Sequence, residues 1–187
     1  MSRQDQSYTV VLSHDVDHPS LKKYPFFSKT VASFLKHCMW DNLGRVFFQD
    51  ISFFDYCDGI KWCFLYPLVK LGIIPDPWER AIWDIVALEK SYGVKSTFFF
   101  IPLKDRVGHV APGKAAPLRR SARYDVRDYK TMIERLAIEG WEVGVHGIDA
   151  HISVESAKAE LKIVADLLPS GTPIGIRMHW LYQSNKL

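Results

Sequence analysis

The alternation of apolar and polar positions along the chain predicts four strands. A β-branched run from Tyr8 to Ser13 ends abruptly in polar residues and predicts a buried strand. A second strongly apolar run extends from Ser96 to Pro102. Two shorter runs, Trp141 to Val145 and Pro173 to Ile176, predict the remaining strands.

Helical periodicity occupies the segments between these strands. Asp76 as N-cap and Pro77 at the first helical position start a helix that ends before Gly93. Further helices are predicted over Asp128 to Glu139 and over Ser153 to Leu168. Helix, strand and polar loop in regular succession are typical of βα units, so we expect an α/β fold with a parallel sheet.

One long segment interrupts this rhythm, covering about residues 21–75 and rich in phenylalanine and tryptophan. A structureless loop of that length is uncommon inside a domain, so we expect a helical insertion. Two interpretations remain open for it. It could be a subdomain packed over the sheet, or a lid or surface that contacts a lipid-linked sugar or a membrane interface through its aromatic and lysine side chains.

Composition narrows the function classes. A chain of 187 residues with 48% hydrophobic residues and a net charge of +3 can form one domain and does not predict nucleic-acid binding. The cysteines are odd in number and lack Cys-x-x-Cys spacing, which argues against a disulfide framework or a structural zinc site. The chain shows no signal-peptide pattern and no apolar stretch long enough for a transmembrane segment, so we expect a cytoplasmic protein.

Polar side chains collect after three of the predicted strands. Asp15 and Asp17 follow the first strand, and His146 and His151 follow the strand that begins at Trp141. Arg177 follows the last strand. Because functional groups in parallel βα folds lie on the loops that leave the carboxyl ends of strands, we expect these side chains to be neighbours.

The paired carboxylates and paired imidazoles predict a metal site. Asp15 and Asp17 point to one side of an extended chain, and two carboxylates so close favour a bound cation. Two neutral imidazoles with one carboxylate form a ligand set of catalytic zinc sites, which here predicts Asp17, His146 and His151. Simpler interpretations are turn or cap roles for the aspartates and surface or loop hydrogen-bonding roles for the histidines.

Four segments, taken in order, resemble the polysaccharide deacetylases, the NodB-homology group of carbohydrate esterase family 4. These segments are Ser13–Asp17, Ser96–Phe100, Gly140–His146 and Arg177–Trp180. The last of them, Arg-x-His followed by an aromatic residue, is similar to the motif of a branch linked to bacterial polysaccharide biosynthesis. The resemblance extends from Tyr8 to the C-terminus and excludes the insertion.

This resemblance implies a single deacetylase domain over residues 1–187, built as a partial (β/α) barrel. It implies a metal-dependent hydrolase that removes N-acetyl groups from a glycan or glycan precursor. On matching positions Asp15 is the catalytic base, and Asp17 and His146 are metal ligands. His151 is the candidate second histidine ligand, and Arg177 orients and tunes Asp15. The cofactor would be one divalent ion, zinc first, with cobalt, manganese or nickel as alternatives.

The chain also departs from the family pattern. His146 and His151 have one more residue between them than is usual, and His179 replaces a proline. We expect His179 and Trp180 to contact the substrate, with His179 also a possible acid or ligand and Trp180 a possible core aromatic. The chain ends at Leu187, before the later strands and the general-acid histidine of the family. The alternative is therefore a non-catalytic or truncated protein that binds a saccharide or a biosynthetic partner.

Overall fold

The computed structural model describes residues 9–108 and 121–179 and divides the chain into two compact units. Unit 1 comprises Met1–Asp17 and Leu88–Leu187, and unit 2 comprises His18–Ala87. All four strands of the described residues belong to unit 1. The predicted insertion, residues 21–75, lies within unit 2.

The strands form one parallel sheet in the order β1-β2-β3-β4. Their bounds are β1 Ser13–Val16, β2 Thr97–Phe100, β3 Glu142–Gly147 and β4 Ile176–Met178. Helical segments separate consecutive strands along the chain, as βα connections require. The predicted α/β class with a parallel sheet is therefore confirmed.

The described residues contain six α-helices. They are α1 Lys29–Lys36, α2 Asn42–Phe47, α3 Phe53–Lys70, α4 Pro77–Ser91, α5 Lys130–Ile138 and α6 Val154–Ala165. A π-helical turn, His37–Asp41, joins α1 to α2, and a 3-10 turn, Val126–Tyr129, precedes α5. No helix of the described residues is both long enough and apolar enough to cross a membrane.

The first and last strands begin where the sequence pattern predicts them to end, at Ser13 and Ile176. The preceding residues Val10 and Val11 are 70% and 80% exposed, because the pairing with β2 begins only at Ser13. Their β-branched side chains favour extended backbone, but within residues 9–108 and 121–179 no strand pairs with them. As a consequence Asp15 lies inside a strand and not in the loop after it.

The two faces of the sheet differ in character. One face is apolar and buried, and it carries Phe98 and Phe100 of β2 and Val143 and Val145 of β3. Helices α5 and α6 pack against β3. Side chains in a strand point alternately to opposite faces. The other face therefore carries the polar strand residues, beginning with Asp15, and it is the face on which the functional side chains collect.

Unit 2 has its own small core, formed by Leu21, Tyr24, Val31 and Tyr66. The buried Asp76 carboxylate ties the start of α4 to the beginning of the unit. It accepts hydrogen bonds from the Ser20 hydroxyl at 2.8 Å, the Lys22 backbone N–H at 2.8 Å and the Trp78 N–H at 3.0 Å. The N-cap role predicted for Asp76 is thus supplemented by contacts distant in sequence.

Candidate metal centre

Asp17, His146 and His179 bring their ligand atoms within 4.8 Å of one another. Asp17 directly follows β1, His146 lies in β3, and His179 directly follows β4. Asp17 Oδ1 lies 3.5 Å from His146 Nε2 and 3.8 Å from His179 Nδ1, and the two ring nitrogens are 2.8 Å apart. The carboxyl ends of β1, β3 and β4 therefore place one side chain each in the same small group.

This group could hold a metal ion. Ligand atoms about 2.1 Å from a tetrahedral zinc ion lie about 3.4 Å from one another, and the three separations above bracket that value. Asp17 Oδ1 is buried and has no hydrogen-bond partner among the described residues. A buried carboxylate oxygen that faces two imidazoles without a hydrogen bond has the surroundings expected of a cation ligand.

The tautomer of His146 follows from its backbone contact. Its Nδ1 lies 3.2 Å from the carbonyl oxygen of Arg177, which can only accept, so Nδ1 carries the proton and donates. The Nε2 lone pair is then directed toward Asp17 and His179. A backbone carbonyl that fixes one ring nitrogen and leaves the other free to ligate is the usual support for a metal-binding histidine.

Asp15 lies beside this group without belonging to it. Its Oδ2 is 3.7 Å from His146 Nε2, and its Oδ1 is 3.5 Å from Arg177 Nη1. Arg177 Nη1 also donates to the Ser13 hydroxyl at 2.7 Å, and its guanidinium lies 5.8 Å from the centre of the Phe99 ring. These contacts hold a partly exposed carboxylate next to a buried imidazole, where it can accept a proton from water.

A glycine on β3, Gly144, leaves room for this arrangement. Gly144 pairs with Phe99 across the sheet, and a Cβ at Gly144 would lie 2.5 Å from the Phe99 ring and 3.2 Å from the Gly175 carbonyl oxygen. Without that side chain the Phe99 ring can lie over β3. It then forms the apolar surface on which the Arg177 guanidinium rests.

A second polar cluster lies on the other face of β1, around the buried carboxylate of Glu89 in α4. Glu89 accepts hydrogen bonds from Trp141 Nε1 at 2.6 Å and from the Ser96 hydroxyl at 2.9 Å, and it contacts His14 Nε2 at 2.8 Å. Burial alone would raise the pKa of Glu89. The three hydrogen bonds outweigh burial and hold the pKa below its usual value.

The structure gathers Asp17 and His146, which were predicted as ligands, but His151 is not part of the group. His151 is buried in the turn after β3. The Glu160 carboxylate accepts the backbone N–H groups of Ile148 at 2.9 Å and Asp149 at 2.6 Å, which directs this turn toward α6. The third position near the carboxylate is occupied instead by a residue that follows β4.

That residue is His179, which the sequence predicted as a substrate contact and possible ligand. Arg177 pairs with His146 across the sheet, and His179 lies two residues beyond Arg177. Once that register is known, a period of two places His179 on the same face as His146, whereas the sequence interpretation favoured His151 as the ligand. The predicted substrate contact Trp180 lies outside the described residues.

The chain was also compared with known proteins. No protein-family model matches it, and neither the curated proteins nor the solved structures contain a match.

Proposed function

We propose that this chain is a metal-dependent hydrolase that removes N-acetyl groups from a glycan or glycan precursor, on a partial (β/α) barrel of the polysaccharide deacetylase type. The observation that supports this proposal best is the position of Asp15. This carboxylate lies 3.7 Å from a nitrogen of a candidate ligand set and is not itself part of that set. A ligand set with an adjacent spare carboxylate is what metal-assisted hydrolysis requires.

The proposed ligands are Asp17, His146 and His179. Two imidazoles and one carboxylate form a catalytic zinc set that leaves one position open, so we expect zinc, with cobalt, manganese or nickel able to replace it. Bound there, the ion would polarise the acetyl carbonyl and would lower the pKa of a bound water molecule toward about 7. His151, predicted as a ligand, is then a buried residue of the neighbouring turn.

In the proposed reaction, Asp15 is the proton acceptor, and Arg177 and Ser13 position it. Asp15 accepts the proton of the attacking water, because it faces the ligand group and is accessible to solvent. Arg177 orients the Asp15 carboxylate through a contact of 3.5 Å, and Ser13 holds Arg177 in place through a hydrogen bond of 2.7 Å. Trp180 remains a predicted contact for the sugar ring, and we expect the protein to act in the cytoplasm.

Metal binding is the first test. Protein purified without a histidine tag and stripped with a chelator should bind one Zn²⁺ or Co²⁺ per chain, measured by calorimetry and by the visible absorption of Co²⁺. His179→Ala should weaken Co²⁺ binding strongly, whereas His151→Ala should bind with nearly unchanged affinity. If His151→Ala alone abolishes binding, the ligand set proposed here is wrong. If the unsubstituted chain binds neither ion, the hydrolase proposal fails.

Catalysis is the second test. Acetate release from N-acetylated chito-oligosaccharides should require added metal and should disappear in Asp15→Asn, which should still bind Co²⁺ with an unchanged absorption spectrum. The alternative function, saccharide binding without catalysis, predicts a different outcome. In that case oligosaccharide binding would persist in both Asp15→Asn and the metal-free protein, and no acetate would be released.

A further inference from the structure

Unit 2 presents four phenylalanine side chains to solvent at one place. Phe47 ends α2 and Phe48 follows it, and Phe53 and Phe54 begin α3, so the two pairs lie on either side of residues 49–52. They are 79%, 82%, 62% and 84% exposed, in chain order. We refer to these four residues as the aromatic tip.

The backbone holds the aromatic tip in this exposed arrangement. The end of α2 is closed by a hydrogen bond from the Asp50 N–H to the Arg45 carbonyl oxygen at 2.9 Å, with Gln49 in the left-handed conformation at φ 60°. The start of α3 is closed by a reciprocal capping box between Ser52 and Asp55. The backbone is therefore fixed at both helix ends, where the phenylalanine side chains are exposed.

The exposed area of the aromatic tip is large for an unpartnered surface. A phenylalanine side chain has about 200 Å² of surface, so the tip exposes about 600 Å² of apolar area. Patches of about that size are the largest found on ordinary monomers and are often functional. The tip still falls short of the roughly 800 Å² that each partner contributes to a stable protein interface.

The spacing of the four phenylalanines along the chain fits a lipid surface better than a protein groove. Neighbouring residues on a helix point about 100° apart, so each Phe-Phe pair spreads over two directions. A protein groove recognises a single stripe of side chains at positions i, i+3, i+4 and i+7. Neither pair forms such a stripe, whereas the hydrocarbon boundary of a fluid bilayer requires no fixed spacing of apolar side chains.

Charge and a neighbouring tryptophan point to the same partner. Residues 45–55 carry one basic side chain, Arg45, and two acidic ones, Asp50 and Asp55, so the tip has no basic cluster for anionic headgroups. Trp40 is 67% exposed and follows Met39, whose carbonyl accepts a hydrogen bond from Tyr56 of α3 at 3.1 Å. Tryptophan favours the interface between headgroups and hydrocarbon.

We propose that the aromatic tip inserts into the surface of a neutral lipid bilayer and docks the protein there without spanning it. Attachment depends on apolar burial and is insensitive to salt. It does not depend on the metal centre, because the tip residues belong to unit 2 and the candidate ligands belong to unit 1.

The test is flotation of the full chain with phosphatidylcholine vesicles. The unsubstituted protein should float with the vesicles at both 0.1 M and 1 M salt, with or without bound metal. Phe54→Ser should lower the partition coefficient about tenfold, because burying one phenylalanine contributes about that factor. Phe54→Leu, which keeps an apolar side chain, should retain most of the binding.

The matched control is Phe27→Ser, since Phe27 is 101% exposed and lies before α1, outside the tip. It should float like the unsubstituted protein, and circular dichroism should confirm that all variants fold alike. Absence of flotation, or equal losses in Phe27→Ser and Phe54→Ser, would overturn the proposal. Binding only to anionic vesicles and only at low salt would also overturn it. A dimer in light scattering that Phe54→Ser disrupts, without flotation, would assign the tip to a second copy of the chain.

Discussion

The buried carboxylate of Glu89 should contribute more to the free energy of unfolding than an exposed carboxylate paired at a similar distance. Three side chains of unit 1 contact it at 2.6–2.9 Å, and two of them, Ser96 and Trp141, are buried. Glu89→Gln keeps the size of the side chain, but it removes the charge and replaces one acceptor oxygen with a donor. A hydrogen bond to a charged group contributes about 1.5–3 kcal/mol, so we expect the free energy of unfolding to fall by about 3 kcal/mol.

The pH dependence of this effect has a definite sign. The pKa of Glu89 is lower in the folded protein than its ordinary value of 4.5. A carboxylate of this kind stabilises the fold fully above its unfolded pKa, and the contribution disappears as pH falls through the folded pKa. The difference in stability between the unsubstituted protein and Glu89→Gln should therefore be constant near neutrality and shrink below about pH 4.5.

Urea unfolding followed by tryptophan fluorescence, repeated between pH 7 and pH 3, measures both quantities. Glu139→Gln is the control, because Glu139 is only partly buried and pairs at 2.7 Å with the exposed Arg135. Exposed pairs contribute little to stability, so this variant should unfold like the unsubstituted protein at every pH. A loss below about 1 kcal/mol in Glu89→Gln at pH 7, or a loss that does not change with pH, would refute this reasoning.

Two further substitutions test the supports of the site. Gly144→Ala would place a methyl group 2.5 Å from the Phe99 ring and should lower the unfolding free energy by about 2 kcal/mol in urea titrations, whereas Gly44→Ala in α2, with open space around it, should not destabilise. A Gly144→Ala variant as stable as the unsubstituted protein would contradict the packing argument. Glu160→Gln loosens the turn that follows His146 and should weaken Co²⁺ binding about tenfold in calorimetry. Unchanged affinity would show that this turn does not support the ligand.

The sequence alone determined the order of helices and strands outside unit 2 and the α/β class, but not the bounds of the first and last strands. Apolar periodicity and local caps are properties of neighbouring residues, so the alternation of helices and parallel strands could be predicted without knowing any long-range contact. The proximity of Asp17 and His146 could likewise be predicted from the sequence. Both lie at the carboxyl ends of parallel strands, and that geometry brings them to one edge.

Tertiary structure decided the rest. Whether His151 or His179 faces Asp17 depends on the path of the turn after β3, and that path is set by hydrogen bonds to Glu160, eleven and twelve residues away. Likewise, His14 lies 75 residues from the carboxylate of Glu89. A local pattern records which residues can form a strand or a turn. It does not record which distant side chain will satisfy their polar groups, and that pairing selected the residues of this site.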